Sequence, residues 1–278
     1  MKLILNDDFS AEKIANSGQC FRWDKITETV WRIISGERCV YLKQTGEQEL
    51  ELHGKAEDLD YWKNYFDLQT DYQSIRKKIH KARDPFLYAA AEHQKGIRIL
   101  RQELWEMLIT FIISQNRNIP AIKKSVELLS ETCGNKHTDI RGVEYYGFPY
   151  PEAIAALGEE DLKACKLGYR STYIQKAAAA VCDGSLNLEA LKGEEEESAR
   201  EQLLHLTGVG NKVANCISLF GLHHVNAFPI DVWIRRILEE YYPGGYPYEL
   251  YTPYNGIYQQ YMFAYYRYLH AEQRKQKE

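Results

Sequence analysis

The chain has 278 residues, enough for one large domain or two to three small ones with a proper core. Its formal net charge is −4 and its pI about 6.1, so any surface for a polyanion has to be local. No apolar run reaches membrane-spanning length and no charged-then-apolar leader opens the sequence, which points away from the membrane and from secretion. Cys20, Cys39, Cys133, Cys165, Cys182 and Cys216 are scattered without paired spacing. That pattern fits reduced thiols in the cytoplasm and argues against a zinc site, a disulfide framework or a four-cysteine iron–sulfur loop.

Residues 1–82 read as an N-terminal antiparallel sheet domain. WRIISGERCVYLKQTGEQELELHG carries β-branched and aromatic runs broken at Gly36, Gly46 and Gly54, and Leu50 and Leu52 alternate with Glu49 and Glu51. From Pro85 the apolar spacing turns helical through LWEMLITFII, AIKKSVELLS, PEAIAALGEEDLKAC, IQKAAAAVCDG and EQLLHL. GSLNLEALKGEEEES reads as a turn, and the tyrosine-rich stretch 241–268 as an aromatic helix after Gly256. The fold class expected is α+β: a twisted antiparallel sheet followed by two mainly helical subdomains. One subdomain spans 103–209 and the other combines 83–102 with 210–278. Candidate basic surfaces are Arg76, Lys77, Lys78, Lys81 and Arg83; Lys123 and Lys124; Arg170; and Arg235 with Arg236. The acidic run Glu194–Glu197 is expected away from them.

The stretch LLHLTGVGNKVANCISLFGLHHVNAFPIDVWIRRI, from Leu203 to Ile237, carries the chemistry. Gly208 and Gly210 permit a sharp turn and close backbone approach. The helix opening at Asn211 presents free N–H groups and a positive dipole end, which suit a phosphate oxygen. Lys212 sits in that first turn, where the dipole disfavours its charge. A helix to about Phe220 rises on the order of 15 Å. The connection from Gly221 to Ile230 spans up to roughly 33 Å when extended, enough to bring the next helix start back beside it. Asp231 is the N-cap of that helix. Taken singly, such an aspartate is ordinarily only a cap and such a lysine ordinarily solvated; the Gly-Val-Gly turn sets the pair apart.

LTGVGNKVANCI followed by FPIDVW resembles the helix-hairpin-helix motif and catalytic aspartate of the base-excision DNA glycosylases. SGQCFRW (17–23), FIISQNRNI (111–119), LGYRSTY (167–173) and YNGIYQQYMF (254–263) narrow the resemblance to the 8-oxoguanine DNA glycosylases over nearly the whole chain. It implies a hairpin at the junction of the helical parts and double-stranded DNA containing 8-oxoguanine as partner. It also implies a monomer on the nucleoid, or in the nucleus of a eukaryotic source.

The same resemblance implies roles. Lys212 is the amine nucleophile at C1′ and Asp231 the stabiliser of charge on the sugar; β-elimination follows from the imine. A free lysine, with pKa about 10.4, is neutral in fewer than about one molecule in a thousand at pH 7, so a shift of about 3 units (about 4 kcal/mol) is required of the site. Gly18 supplies a carbonyl to the N7 hydrogen that 8-oxoguanine has and guanine lacks. Phe263 stacks on the flipped base, Gln259 reads its Watson–Crick edge, Cys216 forms the opposite wall, and Pro229 and Trp233 complete the pocket. Asn116 fills the vacated space in the duplex, and Tyr169 and Arg170 act as wedge and opposite-base contact. Asn118, Gly208, Gly210 and Val213 touch the DNA backbone. No organic cofactor is required, and the carbonyls of Leu204, Leu206 and Val209 can hold a bridging cation.

Two positions depart from the family pattern. Ala121 stands where a second opposite-base arginine is common, a loss on the order of 1–3 kcal/mol of discrimination. Trp233 stands where a histidine is common, implying stacking in place of a phosphate contact. Two other readings stay open: a superfamily glycosylase for another damaged base, and a non-catalytic DNA-binding module.

Overall fold

Strands β1 (Lys2–Ile4), β2 (Trp23–Lys25), β3 (Val30–Ser35), β4 (Arg38–Gln44) and β5 (Glu49–Gly54) form an antiparallel sheet of order β1-β5-β4-β3-β2. They belong to a computed structural model that describes residues 1–275; the last three residues of the 210–278 segment lie outside the described residues. Register follows from the period-2 pattern. Trp31 pairs with Leu42 and Leu42 with Leu52, so one face carries Trp31, Ile33, Leu42, Leu50 and Leu52, all buried. Glu49 and Glu51 point the other way, as their alternation predicts. Helix Leu59–Tyr65 closes this face with Trp62 and Tyr65, which pack edge-on.

The helical part shares one continuous core running from Tyr72 to Tyr266. Its centre is helix Leu104–Ile113, apolar nearly all round and therefore buried on every side, against Asn211–Phe220 on one flank and Arg170–Cys182 on another. Helices Pro85–His93 and Val232–Tyr241 pack on the long helix Asn255–Lys275. The fold is thus α+β as expected. Sequence periodicity did not reveal the two-stranded ribbon Lys136–Thr138 with Glu144–Tyr146, nor the break that divides PEAIAALGEEDLKAC into Pro151–Ala155 and Glu159–Ala164. Three-residue strands are too short to show a period, and the break falls at Leu157–Gly158. The expected turn 184–198 holds a single helical turn, Leu188–Leu191, and Glu194–Glu197 leads into helix Glu196–Leu204, where negative charge favours the helix start.

The two parts are joined by buried polar groups. Gln19, fully buried, donates to Arg98 O (2.9 Å) and accepts from Leu100 N (2.9 Å), while Gln102 donates to Gln19 O (2.8 Å). Arg22 bonds Glu127 (2.8 Å) and Tyr146 O (2.6 Å). Glu106, on the central helix, accepts from Gly36 N at the β3–β4 turn (2.8 Å), and burial pushes its carboxyl up to about 7 despite Arg22.

The folded chain therefore holds the Glu106 proton more tightly than the unfolded chain does. The stabilisation is full below the ordinary value of 4.5 and is lost as pH rises through about 7. We expect Glu106→Gln, which can still accept from Gly36, to gain up to roughly 3 kcal/mol over the parent at pH 8 and little at pH 4.5. Melting curves across this range check it; a gap independent of pH would refute it.

Candidate active site

Helix Glu196–Leu204 ends at His205, and the chain turns through Gly208 (φ +85°) into helix Asn211–Phe220. A Cβ on Gly208 would lie 2.3 Å from the Tyr173 ring, so only glycine fits there. Gly210 is the N-cap, with nothing within 4 Å of a Cβ position and no side chain capping the helix. The first N–H groups of that helix are left for an external acceptor. Lys212 leaves this turn half-buried, its Nζ 5.6 Å from the Phe111 ring centroid. Val213 behind it is buried and lines the same cleft.

The connection returns as the spacing requires. Asp231 caps helix Val232–Tyr241, its Oδ1 accepting from Ile234 N at 2.8 Å. Lys212 and Asp231 line one cleft of about 610 Å³, and among the described residues no ion pair within 4.0 Å joins them. The cap explains the offset, because the backbone holds one carboxylate oxygen and with it the direction of the group. Cys216 lies one turn beyond Lys212; burial pushes its thiol up, and the Lys212 charge opposes the shift.

Some of the residues expected around a flipped base meet across distant segments, Gly18 with Phe263 and Gln259 with Pro229. Gly18 has φ +79°, and the Phe263 ring lies 3.5 Å from where its Cβ would be. Gln259 is buried one turn earlier; it donates to Pro229 O (2.8 Å) and accepts from Gln260 (2.9 Å). Gly18, Cys216, Gln259 and Phe263 do not line the open cleft, whose walls are Lys212, Asp231, Trp233 and the Asn116 loop. Trp233 is half-buried against Tyr266 and His270, with Arg236 over its ring at 5.4 Å.

At the rim, Asn116 is exposed in the left-handed region (φ +52°) and donates to Tyr169 OH at 3.3 Å; Tyr169 is 51% exposed. Arg170 departs from expectation. It is buried, and its guanidinium donates twice to Gln115 O and once to Leu167 O (3.2 Å), so three of its five N–H donors clamp the Asn116 loop. A buried guanidinium needs acceptors, and these carbonyls supply them. Asn118 caps helix Ile119–Cys133 by accepting from Ala121 N (2.9 Å). Arg76, expected on a basic surface, is buried and paired with Asp7 and Asp8. Sequence reasoning missed Gln115, whose amide donates to Gly208 O (3.0 Å), and Arg267, whose guanidinium lies over Phe263 at 5.2 Å. The spacing 259, 263, 267 on one helix face was the available signal for Arg267.

Family models match in two consecutive blocks, the 8-oxoguanine DNA glycosylase N-terminal domain over residues 2–108 and the HhH-GPD superfamily base excision DNA repair protein over residues 109–245. The N-glycosylase/DNA lyase of Saccharomyces cerevisiae is 33% identical over 87% of this chain and 70% of its own length. The chain belongs to the 8-oxoguanine DNA glycosylase family of the HhH-GPD superfamily. It is an enzyme of the DNA glycosylase/AP lyase class. Among solved structures, MBOgg1 in complex with a low-affinity DNA ligand is 36% identical with a TM-score of 0.90, covering 96% of this chain and 95% of that one. The Clostridium acetobutylicum 8-oxoguanine glycosylase/lyase, in complex with DNA containing cytosine opposite 8-oxoguanine, is 32% identical with a TM-score of 0.87 over 97% and 98%. All six cysteines are unpaired, and no helix of the described residues is long and apolar enough to cross a membrane.

The two hairpin glycines separate fold from contact. Gly208→Ala must displace the Tyr173 ring and is expected to lose more than about 2 kcal/mol in denaturant unfolding. Gly210→Ala is expected to lose no more than about 1 kcal/mol yet to bind DNA more weakly, since its Cβ would project into the cleft. Equal unfolding losses for the two variants would refute this account.

Proposed function

We propose that the enzyme excises 8-oxoguanine from double-stranded DNA through an imine to Lys212. The observation that carries this reading is the placement of Lys212 and Asp231, from two different helix starts, on one cleft without an ion pair between them. The neutral amine attacks C1′ as the C1′–N9 bond breaks, and the departing base takes the electron pair and then a proton. Ring opening gives the imine, which acidifies C2′; loss of that proton expels the 3′ phosphate. Asp231, fixed by its cap bond, faces the positive charge that builds on the sugar. The Gly18 carbonyl accepts from the N7 hydrogen of the lesion, and Phe263, Cys216 and Gln259 hold the base, with Pro229 O fixing the Gln259 amide. Asn116 and Tyr169 occupy the place in the duplex that the nucleotide leaves.

The hairpin carbonyls of Leu204, Leu206 and Val209 would hold a monovalent or divalent cation, which would supply positive charge for a DNA phosphate. Leu206 O accepts one backbone bond, from Val209 N at 3.0 Å, and keeps a lone pair; all three donors are hard oxygens. Lys212, Asp231 and the Gly18 carbonyl act without it in this scheme.

Borohydride trapping on an 8-oxoguanine duplex tests the nucleophile. The native protein is expected to form a covalent adduct and Lys212→Gln none; absence of an adduct with the native protein would favour a non-catalytic DNA-binding module. Asp231→Asn separates cap from catalysis. Asparagine caps as well as aspartate, so unfolding stability should hold within about 0.5 kcal/mol. Single-turnover excision should nevertheless fall by at least about tenfold.

Opposite-base preference is expected to be relaxed. Ala121 brings no donor, and Arg170 commits three of its five donors to Gln115 O and Leu167 O. Excision opposite adenine should fall less than about a hundredfold relative to cytosine, given about 1–3 kcal/mol per lost bidentate pair. A larger drop in single-turnover rates would contradict this.

A further inference from the structure

The long C-terminal helix carries a third residue on the face of Gln259 and Phe263. Arg267 follows Phe263 by one turn and lays its guanidinium 5.2 Å from that ring's centroid. Its Nη1 donates to Asn16 O at 3.1 Å, two residues before Gly18. It is half-buried, and among the described residues that hydrogen bond is its single one and no ion pair within 4.0 Å reaches it. A guanidinium has five donors, and one is used here. Burial pulls this guanidinium below its usual range, and Asp231 is the nearby charge that opposes the shift. A partly desolvated cation with four donors that make no hydrogen bond within the described residues, beside Phe263 and within electrostatic reach of Asp231, is suited to an oxygen-rich group that would complete it.

We infer that Arg267 is a substrate-binding residue that takes oxygen atoms of the extruded nucleotide, through its fork of N–H donors. The inference rests on the glycosylase reading, which brings that nucleotide to Phe263 and Asp231. Two oxygen sources fit a guanidinium at this place: the flanking phosphate and a carbonyl of the base.

Binding of the full chain to three duplexes decides the matter: undamaged, with a tetrahydrofuran abasic analogue, and with a 2′-fluorinated 8-oxoguanosine that resists cleavage. Arg267→Met keeps the apolar stem on Phe263 and removes the donors, while Arg267→Lys returns the charge without the fork. Arg267→Met is expected to weaken binding to the 8-oxoguanosine duplex roughly tenfold or more, with undamaged DNA unchanged and with partial recovery in Arg267→Lys. An equal loss on the abasic duplex, with a salt slope reduced by about one, assigns the contact to phosphate. A loss confined to the base-bearing duplex assigns it to the base. Unchanged affinity for both damaged duplexes, or an equal loss on all three, would overturn the inference while leaving the glycosylase reading intact. A native protein that prefers neither damaged duplex would sink both.

Discussion

One small knot of main-chain carbonyls holds the working parts in register. Gln115 donates its side-chain amide to Gly208 O, and its own carbonyl takes the Arg170 guanidinium. Tyr173, a turn after Arg170, fills the space that a Cβ on Gly208 would need. The hairpin that aims Lys212, the loop that exposes Asn116 and the helix that begins at Tyr169 are therefore a single mechanical unit. A shift in any of them strands a buried polar atom, at about 1–3 kcal/mol each. This is why three exposed or half-exposed functional groups can hold position on the lip of an open cleft.

The site also uses ordinary structural devices for chemical ends. Asp231 is a helix cap in every geometric respect, and the cap gives its carboxylate a fixed direction next to an amine that it does not bridge. Had it been free to swing, a direct ion pair with Lys212 would be the low-energy arrangement, and a protonated amine cannot attack carbon. Under the proposed mechanism, the structural and catalytic readings of this residue are one reading. Arg170 shows the reverse case, in which a residue suited to a base edge has most of its donors taken by the fold.

Much of this was legible in the chain itself. The alternation of Leu50 and Leu52 with Glu49 and Glu51, the Gly-Val-Gly turn, and the return distance from Phe220 to Asp231 follow from periodicity and reach, which are local properties. Which of Arg76, Arg170 and Arg267 meets solvent, a carboxylate, a carbonyl or an aromatic ring depends on segments far apart in sequence. Arg76 meets Asp7 and Asp8, and Arg267 meets Asn16, across separations that no pattern encodes. Short elements such as Lys136–Thr138 escaped because three residues cannot display a period.

The charge distribution gives the site its character. The molecule as a whole carries −4, yet the cleft is lined by Lys212, Arg117 and Arg235, with Asp231 the one acidic group among the described residues of its walls. A net negative protein repels a polyanion at long range, and beyond about 10 Å at 0.1 M salt the surface charges are largely screened. Attraction then has to be local, and the cleft mouth is one place that supplies it. Under the proposed function, added affinity for damaged DNA would come from groups outside the open cleft that an extruded nucleotide could reach, the Gly18 turn and the Phe263 ring. Lesion preference in such a protein rests on withholding non-specific affinity as much as on reading the base.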